Sequence, residues 1–262
     1  MIPVQTRKRF GQHFLHEAFI VEKIISAIDP KKTDNMLEIG PGLGALTQRL
    51  LPHVTYLTVV ELDKDLIPLL KRQCANLGEL TVYQADALKF DLRSLNVTIT
   101  PWRIVGNLPY NISTPLLFHL LEQIHVIQDM HFMLQKEVVE RITAQPGDKH
   151  YGRLSVMMQY YCQAKKLFTV KPGAFQPPPK VDSAVIRLIP YKIPPWQADD
   201  PLLFAEIVRT AFSHRRKMLR NNLGKLINTK QFELLDIDTT KRPEQLSISD
   251  YVNISNFLAT LN

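Results

Sequence analysis

Apolar positions along the chain show two kinds of pattern, helical spacing and short continuous runs. Ile20, Ile24 and Ile28 recur at helical spacing, which predicts an amphipathic helix from His16 to Ile28. Short apolar or β-branched runs follow, and helical patterns separate them. The strands that these runs predict are 36–39, 55–60, 80–83, 103–105, 130–134, 167–170 and 181–189. The helices predicted between them are 45–51, 62–75, 113–122 with Ser113 as its cap, 136–142 and 154–161. This alternation predicts an α/β fold with a mostly parallel sheet and helices on both of its faces.

Prolines divide the rest of the chain. The proline-rich stretch 172–179 is expected to form an extended loop, and prolines recur from Pro190 to Pro195. Because proline interrupts both helices and strands, we place a domain boundary there. The sequence thus predicts an α/β domain over residues 1–192 and a small all-α domain over residues 193–262. The helices expected in the second domain are 202–212, 217–227 and 249–260.

Composition narrows the class of protein. The 262 residues are 45% hydrophobic, enough for a core, and carry a net charge of +7, which weakly favours nucleic acid or an anionic membrane as a partner. Cys74 and Cys162 lack the spacing of a metal site or a disulfide framework, which is typical of the reducing cytoplasm. No apolar run is long enough to span a membrane, and Met1–Phe10 lacks the apolar centre of a signal peptide. The sequence therefore predicts a cytoplasmic protein.

Three features at successive strand ends predict a nucleoside-binding site. The loop from Gly40 to Gly44 has the pattern G-x-G-x-G, whereas dinucleotide-binding loops have G-x-G-x-x-G. Glu61 ends the second strand, at the spacing where an acid meets ribose hydroxyls. Asp86 ends the third strand, where a carboxylate can accept a hydrogen bond from an adenine amine. Each feature alone is more often structural, as a tight turn, a solvated glutamate or a loop aspartate, but together they favour a cofactor site.

The residues Asn107-Leu108-Pro109-Tyr110 follow the apolar run 102–106, so they lie where a central strand leaves the sheet. Ligands of open α/β sheets bind at that end of the strands. The Asn107 side-chain oxygen and the Leu108 carbonyl, held by Pro109, can accept the two N–H groups of an exocyclic amine. The Tyr110 ring can stack on a base, so the motif favours methylation of adenine N6. The alternative is a strand that ends in an ordinary Asn/Pro turn.

Basic residues cluster in two places. One run, with no acid between its members, is Arg209, Arg215, Arg216, Lys217, Arg220 and Lys225. A shorter cluster is Arg7, Lys8 and Arg9. Both are expected to contact the phosphates of a nucleic acid rather than to read its bases. The alternative is a solvated helix face. It is less favoured, because this run of basic residues has no acidic residues within it.

Short motifs are spread over almost the whole chain. They include KRFGQHFL at 8–15, LEIGPGLGALT at 37–47 and GNLPYNIST at 106–114. The others are 61–63, 84–87, 135–138, 151–156, 173–184 and 212–219. Together these motifs resemble the small-subunit (16S) ribosomal RNA adenine N6,N6-dimethyltransferases. The N-terminal and central motifs together are specific, whereas the glycine loop alone is not.

The resemblance implies both a fold and an activity. Residues 1–192 would form a class I, Rossmann-like methyltransferase domain, and residues 193–262 a small helical RNA-binding domain. The enzyme would transfer methyl groups from S-adenosyl-L-methionine, without a metal, to N6 of two adjacent adenosines in the 3′-terminal hairpin of 16S rRNA. It would act as a cytoplasmic monomer on the immature small ribosomal subunit and take part in maturation of that subunit.

The resemblance also assigns residues to the site. Those that would line the cofactor site are His13, Leu15, Gly40, Gly42, Glu61, Asp86, Ala87 and Asn107. Those that would hold the target adenine are Asn107, Leu108, Pro109, Tyr110 and Phe175. The base would lie between the Tyr110 and Phe175 rings, although Phe175 can instead anchor the proline-rich loop to the core. His13 stands where the family frequently has Asn, and a neutral imidazole can still donate or accept one hydrogen bond.

Other activities share parts of this pattern. A 23S rRNA adenine methyltransferase of the antibiotic-resistance type has the same catalytic domain, but the proline-rich loop and the C-terminal basic run argue against it. DNA adenine methyltransferases usually carry a second proline where Leu108 stands. A dinucleotide oxidoreductase lacks the motif at Asn107, and the intact site residues argue against a non-catalytic ribosome-assembly factor.

Overall fold

The computed structural model describes most of the chain, namely residues 13–95, 100–214 and 216–261. The chain divides into two units. The first contains the residues up to Val139 and Lys165–Pro190, and the second contains Glu140–Ala164 and the residues from Tyr191 onward. The sequence places a boundary between residues 192 and 193, close to the last of these division points. The structure also groups Glu140–Ala164 with the C-terminal helices.

The strands form a seven-stranded sheet and a separate two-stranded one. They are β1 (Phe14–Leu15), β2 (Asn35–Ile39), β3 (Tyr56–Glu61), β4 (Glu79–Gln84), β5 (Trp102–Asn107), β6 (Ile127–Gln135), β7 (Cys162–Val170), β8 (Phe175–Gln176) and β9 (Ser183–Pro190). The order in the large sheet is β4-β3-β2-β5-β6-β9-β7. The five strands from β4 to β6 pair in parallel, and β9 runs antiparallel to β6. The prediction of a mostly parallel sheet is confirmed.

Helices follow the strands as the sequence predicts. They are α1 (Ala18–Ile28), α2 (Thr47–Leu50), α3 (Ile67–Cys74), α4 (Ser113–Leu121), α5 (Lys136–Thr143), α6 (Arg153–Tyr161), α7 (Pro201–Ala211), α8 (Leu219–Leu223), α9 (Thr229–Leu234) and α10 (Ile248–Ala259). Every predicted helix is present, with ends that shift by a few residues and with α8 shorter than expected. The helix α9 was not predicted because it is short, although Asn228 and Gln231 form a capping box at its start.

A core of the first unit packs α1, α2 and α3 against the sheet. All five residues of β2 are buried, because helices cover both faces of the central strands. Ile24 and Ile28 of α1 pack in the same cluster as Met36 and Leu57 of the sheet. Burying each such side chain contributes about 2 kcal/mol relative to leaving it in water. This packing holds the carboxyl ends of β2, β3 and β5 in fixed positions.

Two local predictions need correction. Ser113 is the first residue of α4 and not its cap, because Ile112 holds the cap position and Ser113 Oγ donates to the Tyr110 carbonyl at 3.1 Å. The proline-rich stretch is not only a loop, because it contains β8, which pairs antiparallel with β1. Strands of two residues are too short to show a period, so the sequence does not reveal this pair.

The second unit is helical. Asp200 caps α7 by accepting from the Leu202 and Leu203 amides, and Ser247 caps α10 by accepting from the Asp250 amide. Tyr251 of α10 is fully buried, and its hydroxyl donates to the Pro243 carbonyl at 2.8 Å. Across the described ranges of both units, no helix combines the length and the apolar character needed to cross a bilayer.

Candidate active site

A cavity of about 260 Å³ lies in the first unit, where β2, β3, β4 and β5 end. Parallel strands bring their carboxyl ends to one edge of a sheet, which is where open α/β proteins bind ligands. The lining includes the predicted cofactor residues His13, Leu15, Gly40, Gly42, Glu61, Asp86, Ala87 and Asn107. It also includes Leu108, Pro109 and Tyr110. The fold thus brings the two predicted sites into one cavity.

The glycine loop after β2 needs its glycines. Gly40 and Gly42 have φ values of 67° and 56°, a region that residues with a side chain rarely adopt. A Cβ added to Gly42 would lie 3.1 Å from the Phe14 ring, and one added to Gly40 would lie 4.0 Å from Pro109 Cδ. The loop therefore lies close to both the N-terminal segment and the motif at Asn107.

Glu61, at the end of β3, is held by main-chain amides. Its Oε2 accepts from the Gly42 amide at 3.1 Å and its Oε1 from the Asp63 amide at 2.8 Å. Burial raises the pKa of Glu61, and these two hydrogen bonds oppose that rise. A carboxylate has about four acceptor positions, so Glu61 can also accept from a ligand hydroxyl.

Glu38 lines the same cavity and was not predicted as a site residue. It lies inside β2 with 1% of its surface exposed, and Thr47 Oγ1 donates to its Oε2 at 2.6 Å. Burial raises the pKa of Glu38 to about 8, and the nearby Glu61 carboxylate adds to the rise. The signal in the sequence was an acid within an apolar strand, two positions before Gly40.

Asp86 follows β4 in a tight turn. Its Oδ1 accepts from the Leu88 amide at 3.0 Å, and its carbonyl accepts from the Lys89 amide at 2.9 Å. These bonds fix the direction of the carboxyl group relative to the main chain. Asp86 and Ala87 thereby line the cavity next to Glu61.

The Asn107 amide is oriented by a hydrogen bond. Its Nδ2 donates to the His13 carbonyl at 2.9 Å, so the oxygen Oδ1 is the acceptor that this side chain presents. The Leu108 amide donates to the Met133 carbonyl at 3.1 Å, and the Leu108 side chain is buried. Leu108 therefore packs its side chain in the core while its peptide lies at the cavity.

Two rings lie beside this motif. The Tyr110 and His13 rings are in contact, with centroids 5.5 Å apart and planes tilted by 34°. The Tyr110 hydroxyl forms a hydrogen bond of 2.7 Å with Ser183 Oγ, and His13 Nδ1 donates to the Pro177 carbonyl at 2.8 Å. Burial raises the pKa of Tyr110 more than the bond to Ser183 lowers it, so the phenol is protonated at neutral pH.

Phe175 does not lie in the cavity lining. Its ring is 2% exposed and belongs to the hydrophobic core, because the pairing of β8 with β1 places it opposite Leu15. Stacking of Phe175 on the target base therefore stays a prediction, because it needs the ring to be accessible at the cavity. The burial of the ring supports the alternative, in which Phe175 anchors the proline-rich stretch.

Comparison with known proteins identifies the family. The family described as "Ribosomal RNA adenine dimethylase" matches residues 4–260. The chain belongs to the ribosomal RNA adenine dimethylase family. This membership confirms the predicted enzyme class, a methyltransferase that acts on adenine in ribosomal RNA.

Individual relatives of this dimethylase family member agree with that assignment. The chain is 54% identical over 255 residues to "Ribosomal RNA small subunit methyltransferase A" of Marinobacter nauticus, covering 97% of this chain and 92% of the relative. It is similar to the structure of a dimethyladenosine transferase from Plasmodium falciparum, with a TM-score of 0.79, 29% identity and coverage of 92% of this chain and 96% of that one. The 23S rRNA methyltransferase ErmE shares the fold, with a TM-score of 0.73, 22% identity and coverage of 94% of this chain and 99% of that one.

The predicted RNA-binding residues of this dimethylase are only partly described. Arg216, Lys217 and Arg220 are exposed at the surface of the second unit, around the start of α8. Arg7, Lys8, Arg9 and Arg215 lie outside the described residues.

One member of the predicted basic run needs correction. Arg209 Nε and one of its terminal nitrogens lie 2.8 and 2.6 Å from the Glu206 carboxylate, one turn earlier on α7. The run contains no acid, but helical spacing brings one from outside it. Arg209 is therefore paired within the protein and is a weaker candidate for phosphate contact.

Proposed function

We propose that this dimethylase transfers methyl groups from S-adenosylmethionine to N6 of two adjacent adenosines in the 3′-terminal hairpin of 16S rRNA. The observation that carries the proposal is the orientation of Asn107, whose Oδ1 is presented at a cavity that also holds Glu61 and Asp86. Similarity to a relative named for the small ribosomal subunit supports the choice of RNA. The substrate in the cytoplasm would be the immature small subunit.

The cavity fits S-adenosylmethionine. Glu61 can accept hydrogen bonds from ribose hydroxyls, and Asp86 can accept one from the adenine amine. The main chain of Gly40 and Gly42 can approach the amino-acid part, because a glycine has no Cβ between the backbone and the ligand. When bound, this donor supplies an electrophilic methyl group on a sulfonium sulfur. His13 and Leu15 of the N-terminal segment complete this part of the lining.

Asn107 and Leu108 provide acceptors for the target amine. Adenine N6 is a weak nucleophile because its lone pair is delocalised into the ring. Accepting its two N–H groups at Asn107 Oδ1 and at the Leu108 carbonyl favours a nitrogen with a localised lone pair. Positioning and electrostatics of this kind supply much of the rate in enzymes, and no strong general base is required, since the amine becomes acidic as it is methylated.

The base must leave its stack to reach this cavity. Tyr110 lines the cavity and can stack on the base, while Phe175, the second ring predicted to hold it, is buried beside Leu15. After the first methyl transfer the amine keeps one N–H, so one of the two acceptors is left without a donor. The second transfer therefore relies more on stacking and on the shape of the cavity.

The C-terminal segment is proposed to bind the RNA. Residues 193–262 would form the RNA-binding domain, with Arg216, Lys217 and Arg220 contacting phosphates. Arg215 and the cluster Arg7-Lys8-Arg9 are assigned the same role from the sequence. A polyanionic hairpin recognised by shape suits contacts of this kind. One copy of the chain carries all of these groups, so we propose that it acts as a monomer.

The decisive experiment compares two substrates. Purified protein is incubated with labelled S-adenosylmethionine and with small or large ribosomal subunits that lack the modification. Dimethyladenosine should appear in 16S rRNA, at the 3′-terminal hairpin, and not in 23S rRNA. Label in 23S rRNA alone would contradict the proposal and favour the resistance-type activity.

Two variants separate catalysis from folding in this assay. Asn107→Ala removes the proposed acceptor, and Asn35→Ala removes a buried asparagine at the opposite edge of the sheet, where Asn35 Nδ2 donates to the Thr100 carbonyl at 2.5 Å. Both should lose some stability, but only Asn107→Ala should lose methyl transfer. Full turnover by Asn107→Ala would show that the proposed geometry is wrong.

A further inference from the structure

Tyr110 is held at both of its ends. Its carbonyl accepts a hydrogen bond from Ser113 Oγ at 3.1 Å, which fixes the main chain at the start of α4. Its hydroxyl forms a hydrogen bond of 2.7 Å with Ser183 Oγ, at the far end of the ring. A phenyl ring anchored only through its Cβ can rotate about two bonds, and a second anchor restricts both rotations.

The second anchor belongs to the sheet. Ser183 is the first residue of β9 and lies opposite Gln135 of β6. The neighbouring Asp182 carbonyl accepts from the Lys136 amide at 2.9 Å, which extends the pairing beyond the strand. Ser183 has no exposed surface, so its hydroxyl is fixed by packing as well as by the strand. The ring of Tyr110 is thus anchored to the same sheet that positions Asn107.

The His13 ring further restricts Tyr110. Its centroid lies 5.5 Å from that of Tyr110, and its Nδ1 donates to the Pro177 carbonyl at 2.8 Å. His13 also accepts the Asn107 amide through its carbonyl. Loss of the hydroxyl anchor would leave His13 as the ring contact that still restricts Tyr110 beside the cavity.

We propose that Ser183 is a positioning residue for methyl transfer, because through the Tyr110 hydroxyl it fixes the ring on which the target base stacks. The inference rests on the proposed function, in which Tyr110 stacks on the base. Ser183 is buried and acts only through Tyr110. Without the anchor the ring samples more orientations, and fewer bound bases place N6 between Asn107 Oδ1 and the Leu108 carbonyl. The loss should appear in kcat and not in the affinity for S-adenosylmethionine.

A double-mutant cycle tests this coupling. Ser183→Ala and Tyr110→Phe each delete one hydroxyl of the same hydrogen bond. Each should lower kcat about fivefold, the usual net effect of one such bond, and the double variant should lose no more than either single variant. KM for S-adenosylmethionine should stay at the wild-type value. Losses that multiply in the double variant, or full kcat in Ser183→Ala, would overturn the proposal.

A matched control separates this effect from a general loss of stability. Tyr56→Phe also deletes a tyrosine hydroxyl, one that donates to Asn35 Oδ1 at the opposite edge of the sheet. It should keep the wild-type kcat at temperatures where all variants are folded. An equal fall in kcat for Tyr56→Phe would show that the Ser183→Ala effect is not specific to the site, and would overturn the proposal.

A spectroscopic measurement does not depend on activity. In protein labelled with 13C-tyrosine, the Tyr110 ring signals are assigned by their absence in Tyr110→Phe. In Ser183→Ala these signals should shift and sharpen as the ring gains motion, while other tyrosine signals stay in place. Unchanged Tyr110 signals in Ser183→Ala would overturn the proposal that Ser183 restricts the ring, whatever the activity of the variant. Absence of any methylation by wild-type protein would instead count against the proposed function, and the ring signals would still decide on the anchor.

Discussion

The two halves of the cavity are built in different ways. The proposed cofactor half consists mainly of the Gly40–Gly44 loop, Glu61 and Asp86, which come from strands and helices that follow one another along the chain, and His13 and Leu15 join it from the N-terminal segment. The target half, formed by Asn107–Tyr110, depends on partners far away in sequence. Asn107 and His13 are 94 residues apart, and Tyr110 and Ser183 are 73 apart. Segments close together in sequence thus form most of the proposed S-adenosylmethionine site, whereas contacts between distant segments position the residues proposed to hold the adenine.

This difference implies that each half can be damaged without the other. In the cofactor half, main-chain amides hold the carboxylates, and these amides remain when a distant residue changes. In the target half, the Tyr110 hydroxyl is held by the Ser183 side chain, so one substitution removes that support, and the His13 carbonyl that holds Asn107 belongs to a distant segment. Substitutions in the two halves should therefore affect different kinetic parameters.

The largest effect is expected for Asn107→Ala. Loss of one preorganised polar group aimed at a reacting centre costs about 100- to 1,000-fold in rate, so kcat should fall by that factor. Affinity for S-adenosylmethionine, measured by calorimetry, should change by less than about tenfold. A loss confined to S-adenosylmethionine affinity would show that Asn107 serves the cofactor and not the target amine.

Glu38→Gln should change how stability depends on pH. The pKa of Glu38 in the folded protein is about 8, above its ordinary value of 4.5. This raised pKa contributes stability that is fully present below the ordinary value and is lost as pH rises through 8. Between pH 5 and 8 the wild type should lose roughly 3 kcal/mol of unfolding free energy from this group. Urea unfolding of Glu38→Gln should show a flatter pH profile, and an identical profile would contradict the assignment.

Glu61→Gln should weaken the cofactor half alone. The variant keeps the shape of the side chain but loses the charge and replaces one acceptor oxygen with a donor. Affinity for S-adenosylmethionine should fall by about tenfold, while kcat at saturation falls less. Glu79→Gln is the matched control, because Glu79 is exposed at the opposite end of the neighbouring strand. Unchanged affinity in Glu61→Gln would remove it from the site.

Substitutions on the basic surface should affect RNA binding and leave the cavity unchanged. Replacing Arg216, Lys217 and Arg220 with Ala should weaken RNA binding by about tenfold and reduce the slope of log affinity against log salt by about 2. The control set is Lys71, Arg72 and Lys89, which are exposed in the first unit. Filter binding over a salt series distinguishes the two sets. Equal slopes for both would mean that net charge, and not this surface, governs binding.

Local patterns were readable from the sequence. The glycine loop and Asp86 follow strands and Glu61 ends one, so order along the chain was enough to bring them together. The same holds for Asn107, at the end of a strand in the middle of the sheet. Glu38 was overlooked because it is part of the strand and not at its end.

Contacts between residues far apart in the sequence could not be predicted from the sequence. The pairing of β1 with β8 decides that Phe175 is buried, and strands of two residues leave no period to detect. The Ser183 contact with Tyr110 depends on the antiparallel placement of β9 beside β6, which single-sequence patterns do not specify. Arg209 was misjudged because its partner, Glu206, lies outside the basic run.

The pairing of β1 with β8 also bears on how the protein is synthesised. Residues 14–15 leave the ribosome early, but their partners at 175–176 emerge much later. The strands and helices that carry the Gly40–Gly44 loop, Glu61 and Asp86 are contiguous and can fold while translation continues, whereas His13 and Leu15, which also line the cavity, depend on β8. The half that receives the adenine stays incomplete until β8 and β9 are available. A nascent chain therefore gains the geometry for methyl transfer only late in translation, after most of its sequence has been made.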